Sequence, residues 1–147
     1  MTTVTMSVTA NGRTAPITTT VISYVDSNSV PVGYVSDNEY EVVAGVATIP
    51  ATAKVNDSGI VFTANRYASS SKTTLLGTTE TSFVLQADTA STAVVQLTRV
   101  DKNTSGVTTS TSISYSRITP AGGLTTLSES AVISFGGNTG ALTFTYQ

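Results

Sequence analysis

Four of the nine carboxylates in the chain, Asp26, Asp37, Glu39 and Glu41, fall close together in sequence, and Asp26-x-Asn28 has the form in which a calcium loop opens. Calcium takes about six to eight oxygens from a converging backbone, and the glycine and bidentate glutamate that complete an EF-hand are missing. The expectation is a solvated loop followed by an edge strand whose charges keep it from pairing. Asp101-x-Asn103 repeats the pattern with fewer acids. Lys54, Lys72 and Lys102 lie among asparagines and aspartates, where a self-formed Lys–Asn amide bond would need a buried acid alongside. No spacing supplies one, so exposed lysines are expected. The chain has no His, Cys or Trp. Imidazole and thiol catalysis, disulfides, and the usual zinc, copper and haem sites are thereby excluded. No catalytic, cofactor-binding or metal-binding residue is assigned.

Ser69-x-x-Lys72 matches the nucleophile motif of serine β-lactamases in form, and Ser36-Asp37-Asn38 spells their second motif. The order is reversed, the Lys-Thr-Gly element is absent, and the first motif falls in a loop between strands rather than at a helix start. In a chain with 29 threonines and 19 serines such matches arise by composition alone. Six tyrosines, Tyr24, Tyr34, Tyr40, Tyr67, Tyr115 and Tyr146, are the only candidates for a carbohydrate platform, with core or interface packing the expected use of each. Asn56-Asp57-Ser58 and Asn103-Thr104-Ser105 fit the glycosylation pattern, which matters only in a eukaryotic secretory pathway.

The elements that must carry these residues are strands. With 147 residues, a third of them hydroxylated and only 11% charged, the chain has the length of one domain, 1–147. Val, Ile, Leu and Phe are frequent enough to favour folding over disorder, and the β-branched residues favour a pleated surface over a helix. Period-two alternation starts at once: Val4, Met6, Val8 and Ala10 share one face, and Thr3, Thr5, Ser7 and Thr9 the other. Asn11-Gly12 then predicts a type I′ hairpin that sets Met6 opposite Ile17 and Val4 opposite Thr19. The returning strand, 17–26, carries apolar residues on both faces and is expected to be central. Further strands are expected at 39–43, 46–49, 52–55, 60–67, 73–76, 83–87, 93–100, 107–117, 124–127, 131–135 and 141–146, broken at Gly45, Pro50, Gly77 and the Pro120-Ala121-Gly122-Gly123 run. Ser110, Ser112, Ser114 and Ser116 mark a polar face of the 107–117 segment. Short strands joined by tight turns predict an all-β, two-sheet antiparallel β-sandwich, immunoglobulin-like or jelly-roll in outline, with a small β-barrel as rival.

A net charge of −2 with seven dispersed basic residues lacks the positive field that a phosphate backbone requires, so nucleic acid is not an expected partner. No apolar run is long enough for a membrane span, and the first residues lack the basic and apolar regions of a secretory signal. The functional expectation is a non-enzymatic structural protein of a virus particle, a phage capsid-decoration or tail-associated domain displayed in many copies. It would self-associate or bind other structural proteins of the same particle. The alternative is an extracellular adhesin domain or pilin-like subunit of a bacterial or archaeal surface. In either case Val4, Met6 and Val8 form the candidate inter-subunit strand, pairing within the chain or with a neighbour.

Overall fold

In the computed structural model, which describes residues 2–10, 13–27, 30–36, 39–46, 52–119, 121–135 and 138–145, every regular element is a strand. The strands are β1 (Thr2–Ala10), β2 (Arg13–Val25), β3 (Pro31–Ser36), β4 (Glu39–Val46), β5 (Ser58–Tyr67), β6 (Leu75–Ala87), β7 (Ala93–Asn103), β8 (Thr108–Ile118), β9 (Leu124–Phe135) and β10 (Asn138–Thr145). They pair antiparallel in strict sequence order, β1 at one edge and β10 at the other. The all-β antiparallel expectation holds. The described residues form one meandering sheet, however, without the Greek-key crossings of immunoglobulin-like and jelly-roll folds.

The first hairpin has the expected register, Met6 opposite Ile17 and Val4 opposite Thr19. Its Asn11-Gly12 turn lies outside the described residues. β2 sits between β1 and β3, but Tyr24 and Val25 are 46% and 53% exposed, so its two faces are not both covered. Several expected breaks are instead irregularities inside longer strands. Gly45 lies at a register shift within β4, and Gly77 within β6. Gly77 has φ +147°, and a Cβ there would stand 1.8 Å from the Lys102 carbonyl oxygen. The glycine therefore allows β7 to approach a kinked β6 rather than ending it. The strand expected at 52–55 does not form. Asn56 takes a positive φ of 76°, and the loop instead docks on the end of β6, Asn56 N–H donating to the Leu85 carbonyl at 2.8 Å and Leu85 N–H to the Asp57 carbonyl at 2.9 Å.

The sheet is bent. Cross-strand pairing places Glu41 of β4, Arg66 and Ala64 of β5, Thr79 of β6, and Arg99 and Asp101 of β7 on one face. Arg99 bonds Glu41 although three ladders separate their strands, which is about 14 Å in a flat sheet. Contact requires curvature toward this face, which is concave, giving a half-barrel. The register shifts in β4–β5, β5–β6 and β7–β8 supply local twist that bends the strands.

Few apolar side chains are buried. Among the described residues the buried ones are Phe62, Ala64, Leu85 and Val94, and the ring of Tyr34 stacks on Phe62 at 5.4 Å. By contrast, eleven large apolar residues among those described are exposed. Tyr24, Ile60, Val84 and Val132 occupy convex register positions, and Leu97 occupies a concave one.

Candidate functional site

The densest polar chemistry among the described residues lies on the floor of the half-barrel. Alternation places Glu39 and Glu41 two apart on β4 and Arg99 and Asp101 two apart on β7, each pair on the concave face. Arg99 fills its donors from three strands. Its Nε donates to Asp101 Oδ1 at 3.0 Å, its Nη1 to Glu41 Oε2 at 3.2 Å, and its Nη2 to Glu41 Oε1 and to Thr79 Oγ1 at 3.3 Å. Thr79 Oγ1 donates in turn to Asp101 Oδ1 at 2.7 Å. On β5, Arg66 grips both oxygens of Glu39, with Nε to Oε2 at 2.8 Å, and lies 4.0 Å from Asp101 Oδ2.

Glu41 and Asp101 are only 6% and 8% exposed and the Thr79 hydroxyl between them only 1%, so the two charges are held where water solvates them poorly. Burial works against charge on both guanidiniums. The bonds Arg66 donates to Glu39 and those Arg99 donates to Glu41 overcome it, with Asp101 adding to each, and raise both above the usual arginine value. Burial also pushes the Tyr34 phenol up, the nearby Glu41 charge adds to the shift, and Arg99 opposes it.

A cavity of about 210 Å³ opens beside this network, lined by Val21, Tyr34, Ser36, Glu39, Glu41 and Arg99. The arrangement is suited to holding strands together. Glu39, Glu41 and Asp101 are each engaged by a guanidinium and through it tied to another strand. Thr81, next to Thr79 on the same face and opposite Arg99, is buried with its Oγ1 unbonded. The serine row of β8 pairs Ser110 with Asp101, Ser112 with Arg99, Ser114 with Leu97 and Ser116 with Val95. These half-buried serines continue the polar floor toward β9.

The acidic residues grouped by sequence do not converge. Glu39 and Glu41 belong to the network, Asp26 closes a turn by accepting from Val30 N–H at 2.9 Å, and Asp37 lies outside the described residues. No group of acids that could hold a metal ion occurs among the described residues. Ser69 bonds Ser71 at 2.8 Å, while the Lys72 ammonium sits 5.7 Å from the Tyr40 ring centroid. Lys54, Lys72 and Lys102 are all exposed. Val4, Met6 and Val8 lie along β1, paired with Thr19, Ile17 and Ala15 of the same chain.

The Arg66–Glu39 and Arg99–Glu41 pairings were not foreseen from sequence. Their signal was the pair of charged i, i+2 motifs, Glu39-x-Glu41 and Arg99-x-Asp101, inside strand-forming segments of a chain with few charges. Searches found no matching protein-family model, no matching curated protein and no matching solved structure.

Proposed function

We propose that the chain is a non-enzymatic structural protein displayed in many copies, of the kind that decorates a phage capsid or forms part of a tail. The observation that carries this reading is its uncovered surface. A compact monomer of this mass exposes roughly 7,100 Å², whereas this chain exposes 9563 Å². The excess is roughly 2,500 Å² per chain, or roughly 5,000 Å² counted over two partners, which falls within the range of obligate protein interfaces. Among the described residues, eleven exposed large apolar side chains against four buried apolar ones point the same way.

A particle component also suits the chain's composition, since Ser and Thr lose little side-chain entropy when ordered in a contact and the low charge limits repulsion between copies. The test is the mass of the purified chain in solution over a wide concentration range. Association into multiples of 15.1 kDa is expected. A monomer at every concentration defeats the reading.

A further inference from the structure

Every strand but the two at the edges of the sheet and β3 carries a charged residue. Arg13 lies on β2, Glu39 and Glu41 on β4, Arg66 on β5, and β6 to β9 each carry at least one charge. The edge strands β1, Thr-Thr-Val-Thr-Met-Ser-Val-Thr-Ala, and β10, Asn-Thr-Gly-Ala-Leu-Thr-Phe-Thr, carry no charge and no proline. Folded proteins ordinarily protect an open edge with lysines, prolines or a short strand, because its unpaired N–H and C=O groups template another strand. Here the protection is missing at both ends of the same sheet. The two edges are also nearly equal in length, nine and eight residues.

We infer that the open edge of β1 pairs with the open edge of β10 in a second copy of this chain, continuing the antiparallel meander across the subunit boundary. This rests on the multi-copy reading and names the surface through which it works. In a meander with an even number of strands β1 and β10 run in opposite directions, so a neighbouring copy in the same orientation presents the correct polarity.

Face parity fixes the register to alternate choices. Val4, Met6 and Val8 share the face of Val21 through their β2 partners, and Leu142 and Phe144 share the face of Arg99 through β9 and β8. Setting Met6 opposite Leu142 places Val4 opposite Phe144 and Thr5 opposite Thr143. An apolar ladder then continues along one face and a threonine ladder along the other. β1 keeps its pairing with β2 throughout, so no strand leaves its own chain.

The chain has no cysteine, so introduced thiols are unique. Thr5→Cys and Thr143→Cys variants of the full chain are purified separately, mixed under oxidising conditions and analysed without reductant, beside the native mass of the unaltered protein. The expected result is a mixed Thr5→Cys/Thr143→Cys dimer in several-fold excess over either homodimer. Thr5→Lys and Thr143→Lys are each expected to weaken association about tenfold, by placing on the edge the charge that ordinarily protects it. Predominant Thr5→Cys homodimers, or an unaltered protein that associates while giving no mixed dimer, overturn the edge pairing and leave the multi-copy reading standing. An unaltered protein that never associates overturns both.

Discussion

Two neighbouring threonines on β6 separate the contributions of a satisfied and an orphaned hydroxyl. Thr79 and Thr81 are both buried on the concave face, but Thr79 donates to Asp101 and accepts from Arg99 whereas Thr81 Oγ1 has no partner. Thr79→Val removes bonds to two charged groups and is expected to lower stability by about 1.5–3 kcal/mol. Thr81→Val replaces an orphaned oxygen with a methyl of similar shape and is expected to be neutral or to stabilise by up to about 1 kcal/mol. Denaturant midpoints of the two variants provide the comparison, and equal losses would contradict the network. Tyr34 supplies a pH signature. Its folded pKa is raised, so the contribution of its protonated form is fully present below the unfolded value of about 10 and is lost as pH rises through the folded value. Tyr34 is therefore expected to ionise above the usual phenol range in an alkaline absorbance titration of the folded protein. Tyr34→Phe should remove that late step.

At the scale of the strand, curvature depends on a small number of irregular positions, and Gly77 is the most constrained of them. Any side chain there must displace the β7 backbone, since its Cβ would lie within covalent-bond range of the Lys102 carbonyl. Gly77→Ala is expected to cost roughly 2–3 kcal/mol or more. It should also speed amide exchange along β6 and β7, while Gly140→Ala, where φ is not positive and nothing stands within 4 Å of the new Cβ, should leave both strands protected. The same positions explain what the sequence could reveal. Strand identity and the first register were legible because alternation and an Asn-Gly turn are local signals, and Met6 does face Ile17. Gly45 and Gly77 read as breaks because a glycine within a strand and a glycine between strands look alike in sequence. The site was legible only as spacing. Arg99 meets Glu41 because register shifts at Val43/Gly45 and Ile60/Phe62 bend the intervening ladders, and nothing local to either residue encodes that sum.

At the scale of the molecule, a bent sheet with open edges predicts a different assembly from a flat one. Flat strands adding edge to edge have no geometric reason to stop and grow into fibres. Here the network fixes curvature across β4 to β7 by tying strands three ladders apart, so each copy added at an edge turns the growing sheet further around the concave side. A heterologous contact whose rotation closes yields a ring of fixed size. Closure would also enclose the concave floor and cover Leu97, supplying the second layer that one chain lacks. The expected outcome in sedimentation or native mass measurements is one dominant multiple of 15.1 kDa, unchanged over a broad concentration range once formed. Binding of a dye specific for apolar surface should fall as that species forms. Arg99→Met removes the guanidinium that ties β7 to β4 while keeping an unbranched apolar stem, so it should relax the curvature. The variant is expected to replace the single mass with a distribution that broadens as concentration rises. A continuous ladder of sizes from the unaltered chain would mean that the curvature does not govern closure.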